Sequence, residues 1–400
     1  MAVALLLQLV WVFLFVWELA GYSQYISLAI TVLSIVMVLW ILNKRINPSY
    51  KLGWTMLIMA FPVFGLLLYL LFGHSRIAEE MQKRYTRVQE DSIPYLQSDP
   101  RVCRKIQEED PSAAVQSEYI CRHSVYPVYE HTKAEYFQVG DDMFPVLVKE
   151  LEQAEHYIYI EYFIINDGVM WRTILDILEQ KAAQGVDVRL IYDGFGCLTT
   201  LPYKYDKFLR EKGIQCKVFN PFRPVLNIIQ NNRDHRKICV IDGKTGFTGG
   251  INLADEYINQ KERFGHWKDT AVMLKGDAVW SMTMMFLHMW NVVNGIQTPI
   301  DYAAHSPHAY HPEEFEGSGF VQPFTDTPLD GETLGENVYL NIINRAKRYV
   351  YICTPYLIID NEMMTALCLA AKSGVDVRIM TPGVPDKKWY SFLPSLIMRS

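Results

Sequence analysis

"YIYIEYFIINDGVMWRTILDILEQKAAQGVDVRLIYDG", residues 157–194, decides how this chain folds. "YIYIEYFII" is rich in aromatic and β-branched residues and reads as a strand. "MWRTILDILEQKAAQG" carries apolar residues at helical spacing and closes on Gly185, and "VDVRLIYD" reads as a second strand. The segment just upstream, "MFPVLVKELEQAEH", has a further helical pattern. Helix, strand, helix, strand is the grammar of a largely parallel sheet covered by helices.

The same order returns about 190 residues later. "NIINRAKRYVYICTPYLII" followed by "EMMTALCLAAKSGVDVRIMTPG" repeats the first pattern, with Gly374 matching Gly185, Arg378 matching Arg189 and Tyr356 matching Tyr162. An αβ turn can converge on G-V-D-V-R by itself, but the tyrosine match adds an independent coincidence. The soluble part therefore reads as a duplication.

Residues 1–73 differ in kind. "YISLAITVLSIVMVLWIL" (25–42) and "LGWTMLIMAFPVFGLLLYLLF" (52–72) are uncharged apolar runs. About 20 helical residues cross a hydrocarbon core of roughly 30 Å, so both are expected to span a bilayer. The stretch 2–20, interrupted by Gln8 and Glu18 and lacking a basic start, reads as a weaker third span rather than a cleaved signal. Lys44, Arg45 and Lys51 on one side nearly balance Arg76, Lys83, Arg84 and Arg87 on the other, and the soluble part is read as cytoplasmic. Domains follow as spans in 1–73, a polar connector over 74–135, a first repeat over 136–296, a loop over 297–332, and the start of a second repeat over 333–400.

Composition narrows the chemistry. Half the 400 residues are apolar, and 38 basic against 44 acidic side chains argue against a nucleic-acid protein by bulk electrostatics. Seven cysteines without a C-x-x-C pair suggest neither a disulfide framework nor a zinc site. His305, His308 and His311 have ligand-like spacing but lack cysteine partners, and no metal is expected there.

Within 201–250, by contrast, ten Lys or Arg face four Asp or Glu, which suits an anionic ligand. Inside it lies "NNRDHRKICVIDGKTGFTGGIN" (231–252). "KICVIDG" reads as a buried strand, and residues two apart share one face of a strand, so His235 and Lys237 project together. An imidazole there can act as nucleophile or base, while an ammonium neutralises phosphoryl oxygens. A lone H-x-K pair is more commonly a solvated strand entrance. The longer pattern is more specific, because Gly249 and Gly250 let backbone approach an anion and Asn252 adds an amide donor. Asp242 either fixes the local backbone and charge or is simply an Asp-Gly turn residue. Glu161, on the first strand, could face the site or pair locally.

These residues resemble the H-x-K-x-x-x-x-D signature of the phospholipase D superfamily. "FNPF", "GHWKDTAVMLKGDAVW" and "TPYLIIDNEMMTAL" are similar to bacterial cardiolipin synthases in particular. The resemblance implies a fold of N-terminal membrane helices followed by a duplicated α/β domain with mixed, largely parallel sheets. It implies a catalytic set of His235, Lys237 and Asp242, with Asn252, Gly249 and Gly250 around the phosphate and Asp269 orienting the imidazole. The activity implied is condensation of two phosphatidylglycerol molecules to cardiolipin and glycerol through a phosphohistidine, in a bacterial plasma membrane, with no metal, cofactor or nucleic acid and with a homo-oligomer allowed. A hydrolase or another phosphatidyl transfer would use the same residues, and a catalytically incomplete lipid-binding protein is the alternative of another class. The family pattern also calls for a second motif, which the repeat places near residue 424, so the second repeat is expected to be incomplete over these 400 residues.

Overall fold

The computed structural model describes residues 23–44, 48–73, 76–222, 232–294, 300–311, 315–327 and 332–384. The chain divides into two compact units at residue 77.

The N-terminal unit opens with helix α1 (Ser23–Asn43), whose 21 residues extend about 32 Å at 1.5 Å per residue. Among the described residues it is the one helix long and apolar enough to cross a bilayer. Its leucines and valines are mostly exposed, which suits an apolar solvent. The run 52–72, expected as a second span, is instead two helices, α2 (Pro48–Ala60) and α3 (Pro62–Phe72). Phe61 leaves helical geometry at φ −135°, ψ 77° because Pro62 excludes the helical conformation before it. The two arms fold back on each other. Trp54 and Tyr69, one on each arm, bring their rings to 5.1 Å, and a Cβ on Gly65 would stand 2.7 Å from the Ile58 Cα. At 13 and 11 residues the arms are about 20 and 17 Å long, each shorter than the hydrocarbon core of about 30 Å. The weaker span expected over 2–20 lies outside the described residues.

The second unit begins with helices α4 (Arg76–Ser92), α5 (Pro100–Glu109) and α6 (Pro111–Ser124), so the expected polar connector is largely helical. Asp99 and Asp110 cap α5 and α6 by accepting from backbone amides of their first turns, and each helix opens on a proline. Strand β1 (Thr132–Phe137) then starts a seven-stranded sheet, four residues upstream of the expected start of the first repeat.

The remaining elements of the repeat are α7 (Gly140–Glu152), β2 (Tyr157–Tyr162), α8 (Val169–Ala183), β3 (Asp187–Asp193), α9 (Tyr205–Glu211), β4 (Gln215–Phe219), β5 (Lys237–Ile241), β6 (Thr245–Gly249), β7 (Ala271–Gly276) and α10 (Val279–Asn294). The strand order is β1-β7-β6-β5-β2-β3-β4. Strands β2, β3 and β4 are parallel, joined through α8 and α9. The other four pairings are antiparallel, so the sheet is mixed and its parallel part is one wing. The turn between β5 and β6 is too short for the crossover that parallel strands require.

Alternation along the strands makes two cores. Ile158, Ile160, Leu190 and Cys239 face α7 and α8, where Leu147, Leu151, Trp171 and Leu178 cover them. Tyr159, Ile191, Ile238 and Val240 face the other way, against Met282, Met285, Phe286 and Met289 of α10. Helix α10 is apolar nearly all round because it is buried nearly all round.

The second repeat carries α11 (Leu334–Arg345), β8 (Tyr349–Cys353), α12 (Asn361–Lys372) and β9 (Asp376–Met380), with β8 and β9 parallel. Its likeness to the first extends to side chains. In the first, Tyr159 donates from its hydroxyl to Asp187 at 3.1 Å, Arg189 Nε donates to the same carboxylate at 3.1 Å, and the guanidinium lies 5.2 Å over the tyrosine ring. In the second, Tyr351, Asp376 and Arg378 repeat this at 2.7, 3.1 and 5.1 Å. The strand register agrees, with Tyr159 opposite Arg189 and Tyr351 opposite Arg378.

Candidate active site

Topology brings the sequence motif to one edge of the sheet. The parallel strands β2, β3 and β4 end together at their carboxyl edge, where open α/β sheets bind ligands. Because β5 runs antiparallel to β2, its beginning lies at that edge; β6 reverses again and ends there, and β7 starts there. His235 and Lys237, the glycine pair after β6, Asn252 and Asp269 are thereby gathered from segments spanning 35 positions.

The two motif side chains occupy different environments. His235 is exposed, whereas Lys237 is 4% exposed. The Lys237 ammonium donates to the His235 carbonyl at 2.6 Å and lies 5.5 Å over the Phe163 ring, which packs 4.7 Å from the imidazole. Desolvation, and then the Lys237 charge, hold the His235 imidazole below its ordinary range. Burial lowers the Lys237 ammonium to about 8, with Asp234 and Asp269 opposing the shift. Near neutral pH the pair is therefore a free imidazole beside a cation, as attack on a phosphodiester requires.

Asp269 sits just before β7. Burial raises its carboxyl, offset by the Thr270 amide, which donates at 2.8 Å, and by Trp267 and Lys237. Among the described residues no hydrogen bond joins it to His235; its electrostatic partner is Lys237. The glycines explain its placement. A Cβ on Gly250 would stand 2.0 Å from an Asp269 carboxylate oxygen, and one on Gly249, where φ is +154°, 2.3 Å from the Thr270 carbonyl. The anion these glycines admit in the structure is the protein's own carboxylate, and the Gly250 amide is already given to the Thr270 carbonyl at 2.9 Å. Asn252 is buried, accepts from the Ile164 amide at 3.1 Å and donates to the Tyr257 hydroxyl at 2.7 Å, which leaves one amide hydrogen for a ligand.

Two candidates lie elsewhere. Asp242 follows the far end of β5, roughly 17 Å along the strand from Lys237. Its carboxylate accepts from the amides of Glu155, His156 and Tyr157, each at 2.8 Å, so it anchors the start of β2 and is a positioning residue, not a reacting one. Glu161 is fully buried on the α10 side of β2, opposite in facing to Ile160. It pairs with Arg236, the residue between His235 and Lys237, and Arg236 also donates to Asp234 at 3.0 Å. Burial raises the Glu161 carboxyl well above its ordinary range despite Arg236, whereas Arg236 keeps Asp234 low in spite of burial. Asp234 and Arg236 escaped the sequence reading because a charged residue flanking a strand ordinarily faces water. So did Asp193, at the end of β3, which accepts from the amides of Phe195 and Gly196 at 2.8 Å and of Asp234 at 3.1 Å, tying the motif segment to the carboxyl edge.

Among the described residues no group of three His, Cys, Asp or Glu is arranged to hold a metal. His305 and His308 serve locally, the first against the Asp301 carbonyl at 2.8 Å and the second against the His311 carbonyl at 3.3 Å.

Comparison with known proteins decides the family. The family profile described as "Cardiolipin synthase, PLD-like domain" matches residues 147–290 and 339–400, more than half of the chain. The chain belongs to the cardiolipin synthase group of phospholipase D-like proteins. A second profile, "Phospholipase_D-nuclease N-terminal", matches residues 32–74. A cardiolipin synthase of Geobacillus thermodenitrificans is 33% identical over 93% of this chain and 74% of its own length, and cardiolipin synthase 2 of Bacillus cereus is 33% identical over 88% and 68%. An uncharacterized protein of Streptococcus mutans is 46% identical over 88% of this chain and 75% of its own. Among solved structures, phosphatidylserine synthase of Haemophilus influenzae aligns over 68% of this chain and 66% of its own at 13% identity and a TM-score of 0.47. Membership places the chain with the phosphatidyltransferases of the phospholipase D superfamily.

Proposed function

We propose that this chain is a membrane cardiolipin synthase in which His235 is the nucleophile. The observation that supports this most is the exposed, uncharged imidazole held beside the buried Lys237 ammonium at the carboxyl edge. An imidazole nitrogen attacks the phosphorus of one phosphatidylglycerol, the P–O bond to the headgroup glycerol breaks, and glycerol leaves with a proton. The hydroxyl of a second phosphatidylglycerol then attacks the phosphohistidine, loses its proton and releases His235. Splitting one displacement into two lowers each barrier. Lys237 and the remaining Asn252 amide hydrogen hold the phosphoryl oxygens, and Asp269 balances the Lys237 charge at the mouth. The family pattern implies that the histidine of a second motif carries the proton transfers. Helix α1 and the α2–α3 hairpin keep the enzyme in the membrane that contains both substrates.

Reaction of the full-length protein with phosphatidylglycerol labelled in its phosphate, quenched early and analysed by mass spectrometry, should show an acid-labile phosphatidyl adduct on His235. His235→Asn should lose the adduct and at least about 1,000-fold of the rate. Cardiolipin formation at the wild-type rate by His235→Asn would end the proposal.

A further inference from the structure

The rim beside His235 is apolar and outward-facing. The loop after β3 is pinned from below: Cys197 is buried and accepts from the Ile165 amide at 3.2 Å, while Thr200 donates to the Ile165 carbonyl at 2.6 Å. With those two side chains turned inward, Phe195, Leu198 and Tyr203 face solvent, at 51%, 46% and 89% exposure. Phe222, after β4 at the same edge, packs its ring 6.2 Å from that of Phe195. Arg233, two residues ahead of His235, lies 4.9 Å over Phe195, so the strip is continuous with the site.

Two cations on this loop and the helix after it are uncommitted. Arg210 pairs with Asp206, and Lys212 with Glu179, but Lys204 and Lys207 are exposed and have no carboxylate partner among the described residues. Lys204 lies 5.0 Å from the Tyr203 ring. Exposed rings, one with a polar tip, interleaved with unpaired lysines match the boundary between lipid headgroups and acyl chains, where rings enter the apolar side and lysines meet phosphates. A protein partner of ordinary chemistry would leave the lysine stems and ammoniums unpaired at its core, since lysine is depleted from such interfaces.

We infer that Phe195, Leu198, Tyr203 and Phe222, with Lys204 and Lys207, form a docking surface for an anionic phospholipid bilayer, holding His235 at the depth of the lipid phosphodiester. The inference rests on the proposed reaction only for the choice of a lipid as occupant. It adds how a headgroup reaches the imidazole: the lipid needs to rise little from its leaflet, because the site comes to it.

The test uses the full-length protein reconstituted in vesicles containing phosphatidylglycerol with radiolabelled acyl chains. Tyr203→p-benzoylphenylalanine should photocrosslink to lipid, at least about tenfold more than the same replacement at Lys133, which is also exposed but lies at the beginning of β1, opposite Lys275 and away from the carboxyl edge. In a second arm, Lys204→Ser with Lys207→Ser should raise KM about thirtyfold on anionic vesicles, as expected for two surface lysines, and leave turnover of monomeric short-chain phosphatidylglycerol unchanged. Equal labelling at 203 and 133, labelling of protein in place of lipid, or equal loss on vesicles and monomers would overturn the inference. Crosslinking needs no turnover, so the two readings fail separately. Lipid labelling at 203 without an adduct on His235 would defeat the reaction, and an adduct on His235 without labelling at 203 would defeat the surface.

Discussion

At the scale of residues, the site works by giving two neighbouring groups opposite environments. In the proposed reaction His235 must be neutral to attack and Lys237 charged to assist. As pH rises, His235 loses its proton below its ordinary range near 6.5, which raises activity; Lys237 loses its proton at about 8, which lowers it. The kcat/KM profile should therefore show a falling limb near pH 8, and Lys237→Arg should move that limb out of the measurable range while lowering the maximum about tenfold or more. A basic limb that stays in place in Lys237→Arg would assign it to another group. Beneath this pair, burial pushes the Glu161 carboxyl toward its protonated form while Arg236 holds Asp234 low. A protonated carboxyl is well imitated by an amide. Glu161→Gln should melt close to wild type, whereas Glu161→Ala, which leaves a cavity and strips the buried guanidinium of a partner, should cost about 3–5 kcal/mol by thermal or denaturant unfolding. Equal losses in both variants would show that Glu161 is ionised.

At the scale of elements, β5 is clamped at both ends by buried polar groups. Arg236, with Glu161 and Asp234, sets its beginning; Asp242 sets its end through three amides of the segment entering β2. Hydrogen bonds to a charged acceptor contribute about 1.5–3 kcal/mol each, and Asp242→Ala strands three amides, of which that of Tyr157 is buried. We expect a loss of several kcal/mol in unfolding free energy, with kcat of the folded fraction at low temperature within a few-fold of wild type. A variant that melts normally but loses catalysis would return Asp242 to the reacting groups. The strand itself was readable from "KICVIDG", and so was the facing of His235 and Lys237, because period two is a local property of extended chain. The Glu161–Arg236 pair was not readable. It joins positions 75 apart, and each looks locally like an ordinary surface charge.

At the scale of the whole molecule, the duplication was visible as G-V-D-V-R in two places, and the fold repeats it down to the Tyr159–Asp187–Arg189 cluster and its second copy Tyr351–Asp376–Arg378. The same kind of reading failed for 52–72. Hydropathy counts apolar residues without regard to direction, and only the contact of Trp54 with Tyr69 across Pro62 reveals a hairpin of two short arms. Likewise the parallel character expected of the sheet holds for β2, β3 and β4, whose crossover helices are long enough to declare it, while the hairpin strands β5, β6 and β7 are antiparallel. The sequence by itself determined the helix–strand order shared by the two repeats, the apolar N-terminus and the identity of the His-Lys pair, because propensity, periodicity and short spacing act within a few residues. The tertiary structure decided that Asp269 and Asn252 join that pair while Asp242 and Glu161 support it from behind, because strand order and direction alone determine which distant ends share an edge.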